Sequence, residues 1–171
     1  FGTGLAHNNH LVARHLGVST MTADYRLMTS RLEQAKVCVM FAAVAPLASR
    51  VFGYVPGRLN ENSADLPRGV ASEWGRWVLS SGFLFGADDL PERRFFAEQS
   101  SPMHFIFASD DPWVVREGVE HLAGQFTRAC ERTIQEVTPA AARVARIGHI
   151  GLFRSELADT VWQEALTWLD S

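Results

Sequence analysis

The spacing of apolar and polar positions changes several times along the 171-residue chain. Residues 103–108, MHFIFA, form a buried-strand run that stops at Ser109-Asp110-Asp111-Pro112. The positions from Trp113 to Phe126 read as a helix, and residues 132–138 read as a second, weaker strand. After the loop RIGHIG, Leu157, Val161, Ala165 and Trp168 make an apolar stripe at helical spacing. Strand, helix, strand, loop, helix is the rhythm of a parallel α/β sheet.

The first two thirds are less regular. Residues 5–16 read as a helix stopped by Gly17, and residues 18–23 as a short β-leaning run. Residues 31–52 predict a long apolar helix, bent near Pro46 and buried. Residues 53–69 are rich in Gly, Pro and Asn and predict a loop. Residues 70–79 are helical in pattern and place Trp74 and Trp77 three apart on one face. The mixed charges of residues 88–94 read as a solvated face, and nothing in the chain repeats.

Composition narrows the function classes. Hydrophobic residues make up 47% and charged residues 20%, as in a soluble globular domain. The net charge of −3 supplies no field for phosphates, so no nucleic-acid partner is expected. Cys38 and Cys130 have no CxxC spacing and suit a reducing compartment such as the cytoplasm or an organelle interior. The longest apolar run, residues 37–48, is about half of the roughly 20 residues a bilayer requires, so no transmembrane segment is expected. His7, His10 and His15 lack an HExxH frame and a companion carboxylate, so no metal or other cofactor is expected. Ser100 and Ser101 precede a strand and lack the setting of a nucleophile.

The candidate chemistry lies at two strand ends. Asp111 follows the first late strand and His149 the second, and functional groups in open parallel sheets gather at the carboxyl ends of strands. An acid there can hold one imidazole nitrogen and leave the other free as a base. Gly148 and Gly151 flank the histidine, as a tight presenting loop requires.

The segments GYVPGRLN, DLPRGVASEWGRW, FASDDPWVV and IGHIGLFR resemble a bacterial family of predicted α/β-hydrolases, serine esterase-like in character. The resemblance runs through nearly the whole chain, and DLPRGVASEWGRW is its most distinctive block. It implies the C-terminal half of an α/β-hydrolase fold: one partial domain over 1–171 with a helical, cap-like insertion about 31–96. It implies Asp111 as triad acid, with Asp110 the alternative, and His149 as base. Trp74 and Trp77 are candidates for an apolar substrate surface, with core packing as the competing role.

Members of that family carry a GHSLGG-like turn with a nucleophilic serine. Against it, FGTGLAHN places Gly4 at the nucleophile position, with Thr3 beside it pointing away and the Leu5 amide as one oxyanion donor. Taking Phe1 as the end of the nucleophile strand leaves the sheet with an open edge. A missing N-terminal half or a protein partner would complete it. These features favour a non-catalytic relative serving as a structural or binding subunit. An active carboxylesterase or lipase-like hydrolase using Asp111 and His149 is the alternative. A non-hydrolytic enzyme with His149 as general base is a third reading.

Overall fold

The computed structural model describes residues 2–59 and 64–171. They divide into two compact units, residues 1–22 with 91–171, and an inserted unit of residues 23–90. The insertion thus begins and ends earlier than the sequence reading of about 31–96.

The first unit is a parallel sheet with helices. Its strands are β1 (His15–Val18), β4 (Met103–Ala108) and β5 (Arg132–Val137), in the order β1-β4-β5. Both pairings are parallel, with His15 opposite Met103 and Met103 opposite Arg132. Central β4 is buried at every position except His104, which is half-buried. Alternation sends its residues to opposite faces. Ile106 and Ala108 join Val137, Ile147, Leu152, Leu157 and Val161 in one cluster. Phe105 meets Phe126 at 6.3 Å between ring centroids, and Phe126 meets Phe96 at 5.0 Å. Both faces being covered explains why the strand reads as one apolar run. Helix α6 (Arg116–Gln125) connects β4 to β5, and α7 (Gln163–Asp170) closes the chain after a π-helical segment, Ala158–Trp162.

The opening residues differ from the sequence reading. Helix α1 covers only Gly2–Leu5, and a 3-10 turn follows at Asn9–Leu11. Buried Asn9 explains the break: its amide Nδ2 donates to the Phe95 carbonyl at 2.7 Å, an alternative to continued helix bonding. Strand β1 therefore starts at His15, ahead of the expected residues 18–23. Gly17 lies within it rather than capping a helix. A Cβ at Gly17 would sit 2.8 Å from Phe105 Cδ1 and 2.6 Å from Thr20 Oγ1, so the close approach of β1 to β4 requires glycine.

The inserted unit is mainly helical. Helix α2 (Arg31–Val39) runs through a π-helical segment, Met40–Val44, into α3 (Ala45–Phe52), giving 22 continuous residues. A short antiparallel pair, β2 (Tyr54–Val55) with β3 (Leu66–Pro67), replaces part of the expected loop, and α4 is Arg68–Leu79. Ala45, Val55 and Ala71 form its small core with Leu66. The ends of the unit are tied together by Asp24 and Arg26. Asp24 Oδ2 accepts from Gly82 N at 2.9 Å, and the Arg26 guanidinium donates to the Leu79 and Ser80 carbonyls.

The long helix is not the buried element that its composition suggested. Only 17% of its most apolar stretch is buried, with Ala45, Ala48 and Ser49 inward and Leu47 and Val51 outward. By length and composition it is long and apolar enough to cross a membrane, which the shorter run of residues 37–48 is not. Buried core helices pass the same test.

Gly17→Val is expected to overpack the β1–β4 contact and lower unfolding stability by about 1–3 kcal/mol in urea titration. Unchanged stability would mean that the strands separate without cost.

Candidate active site

The site is built on the loops that leave β4 and β5. After Ala108 the chain turns, with Ser109 N donating to the Val137 carbonyl at 2.9 Å and Asp111 N to the Ala108 carbonyl at 3.2 Å. This turn directs two adjacent carboxylates to different partners. Asp110 accepts from Ile147 N at 3.0 Å and from Gly148 N at 2.9 Å, clamping the backbone that carries the histidine. Asp111 Oδ1 accepts from Trp113 N at 2.9 Å and Val114 N at 3.1 Å, while Oδ2 lies 2.9 Å from His149 Nδ1. Gly148 has φ +66°, the left-handed conformation that reverses the loop just before the ring.

Asp111 and His149 are thus brought together, and Asp110 serves the loop rather than the ring. The Asp111 side chain has no solvent exposure, whereas that of His149 is 37% exposed. A buried carboxylate is tolerated because every lone-pair direction used is met by a donor. The hydrogen bond to Asp111 raises the His149 pKa above its ordinary value, aided by the charge of Asp111 and opposed by partial burial. Nδ1 as the bonded, proton-bearing nitrogen leaves Nε2 without a hydrogen-bond partner among the described residues.

Trp113 was read from the sequence only as the start of a helix. In the structure it precedes α6, held by the Asp111 turn, and its ring packs on His149 at 4.9 Å and 60°. The DPW order was the available signal, because an Asx turn places the second residue after the aspartate back over it. Ile150 and Phe153 are exposed apolar residues bracketing the same loop.

Gly4 lies inside α1 and is buried, and a Cβ there would fall 2.4 Å from Phe96 Cε1. Leu5 ends α1, which packs on α5 (Arg94–Glu98). No hydrogen bond joins Leu5 to His149 among the described residues. Phe1, taken as the end of the nucleophile strand, lies outside the described residues, as does the side chain of Thr3. At the carboxyl end of β1, Ser19 has φ +49° and a buried hydroxyl without a hydrogen bond, a feature the sequence did not signal.

Trp74 and Trp77 belong to the inserted unit. Trp74 packs edge-on against Phe41 at 5.8 Å and is 39% exposed, and Trp77 packs against Phe83 at 6.0 Å. No cluster of metal-ligating side chains occurs among the described residues.

No family model matches the chain, and no curated protein matches it. Among solved structures, a thioesterase domain from the curacin biosynthetic pathway is similar to it, at 14% identity and a TM-score of 0.35. The alignment covers 94% of this chain and 58% of that one, so the chain spans less than two thirds of that protein's length.

Three outcomes follow from this geometry. In an NMR titration the His149 ring should change protonation above pH 6.5, and Asp111→Asn should move the midpoint down. Because folding raises this pKa, the stabilisation is complete below pH 6.5 and is lost as pH rises through the folded-state value; Asp111→Asn should remove that dependence. Asp110→Ala strands two amides and is expected to cost about 1–3 kcal/mol in urea titration, with Asp110→Asn recovering part of it.

Proposed function

We propose that Asp111 and His149 are the acid and base of a hydrolytic site of the α/β-hydrolase, serine esterase-like type. The observation that carries the reading is the bond from His149 Nδ1 to a fully buried Asp111 carboxylate, with Nε2 left for a substrate-side proton. Asp111 fixes the tautomer and stabilises the imidazolium that forms when Nε2 takes a proton. Nε2 removes the proton of an attacking hydroxyl as the bond to an acyl carbon forms, then returns it to the leaving group. The two-strand arrangement, with both groups at the carboxyl edge of a parallel sheet, supports the fold assignment.

The non-catalytic reading rested on Gly4 as an emptied nucleophile position. Gly4 stands inside α1 against Phe96, and a hydrolytic site of this type would draw its nucleophile from a residue other than Gly4. The edge of β1 away from β4 carries no strand among the described residues. A further strand, from this polypeptide or from a partner chain, would pair there.

A fluorophosphonate probe and a short-chain p-nitrophenyl ester test the reading together. Labelling and hydrolysis should both occur, and His149→Ala or Asp111→Asn should slow them by about 10²–10⁴-fold. An unreactive wild-type protein would instead favour a structural or binding subunit. Gly4→Ser should gain no labelling and should lose about 1–3 kcal/mol of stability against the Phe96 ring; a labelled serine at that position would restore Gly4 as the nucleophile slot.

A further inference from the structure

The inserted unit contains a cavity of about 330 Å³ between α3 and α4. Much of its wall is apolar, with Phe41, Ala45, Ala71 and Leu79 beside the hydroxyls of Ser49 and Ser72. Small residues create the room. Gly75 lies on this wall, and a Cβ there would approach Phe41 Cδ1 to 3.3 Å, so even a methyl group would press on that ring.

The rim has the opposite character. Arg50, Arg68 and Arg76 line the cavity, and no carboxylate among the described residues does. Arg76 is committed to an ion pair with Asp89. Arg50 and Arg68 have no ion pair or hydrogen-bonding side-chain partner among the described residues, although each is exposed at the mouth. Two guanidinium groups beside apolar wall residues suit a ligand with an acid head and a hydrocarbon body. Guanidinium binds carboxylate or phosphate oxygens in forked pairs, whereas the apolar wall rewards hydrocarbon. The volume is at the small end of the range for small-molecule sites.

We propose that this cavity binds a single anionic amphiphile, its acid head held by Arg50 and Arg68 and its hydrocarbon chain lying against Phe41, Ala45, Ala71 and Leu79. The site lies wholly within the inserted unit and stands independently of the Asp111–His149 reading. The acid arrives dissolved, and the experiment separates this from attachment of the unit to a lipid surface.

Trp74 packs edge-on against Phe41 and is a built-in reporter. Decanoate, added to the full chain below its micelle concentration, should change tryptophan emission saturably, with binding confirmed by calorimetry. Decanol, which lacks the charge, should bind at least about tenfold more weakly, and Arg50→Met and Arg68→Met should each weaken decanoate binding by about tenfold. Both arginines are exposed, so these variants should keep the wild-type circular dichroism spectrum. Absence of saturable decanoate binding, equal affinity for decanol, or retention of wild-type affinity in both variants would overturn the proposal. So would binding confined to phosphatidylglycerol vesicles, which would point to the outer face of α3 rather than the cavity.

Discussion

A carboxylate with no access to water needs donors on each oxygen, and the way Asp111 obtains them organises the first unit. One oxygen takes two backbone amides of its own turn, and the other takes the His149 ring. The first arrangement ends β4 and delays α6 to Arg116; the second requires the loop after β5 to return to the same sheet edge. Asp110, one residue earlier, holds that loop by two of its amides. Removing either acid would leave donors stranded, so the turn, the loop and the imidazole stand or fall together. The raised pKa of His149 is a by-product of this mutual satisfaction.

The inserted unit rests on a different economy. Its helices approach through Ala45, Ala71 and Gly75, and the bulky residues Leu47, Val51 and Trp74 lie at the surface. Small inward residues bring backbones close but fill little volume, which is why a cavity remains between α3 and α4. The unit is closed at its ends by polar bonds from Asp24 and Arg26 rather than by a large apolar core.

Sequence was most informative where one physical signal dominated. The β4 run is apolar because both sheet faces are covered, and the SDDP stop names its end; both were legible. The approach of Asp111 to His149 followed from strand order alone. The division of labour between Asp110 and Asp111 did not, because it depends on which oxygen meets which amide across a turn. Residues 5–16 misled because their helical spacing is real, but buried Asn9 bonds to Phe95, far along the chain. Gly17 was read as a stop when it marks a close approach, since glycine serves both purposes. The GTGL segment resembles a nucleophile turn, and neither its helical backbone nor the Phe96 ring beside Gly4 was legible in that resemblance. The exposure of the long helix was hidden because composition records how apolar a helix is, not which of its sides is covered.

Each unit also contains a five-residue π-helical stretch, Met40–Val44 in one and Ala158–Trp162 in the other. A π turn holds one more residue than the α-helical path it replaces, since its bonds reach from residue i to i+5. Ala45 N bonding to the Met40 carbonyl is that longer reach. Chain length is therefore not equally constrained along these helices. Loss of one residue inside Met40–Val44 would let the segment relax to ordinary α-helix, with Ala45 still facing α4. The same loss one turn later would rotate everything beyond it by about 100° and carry the inward face into solvent.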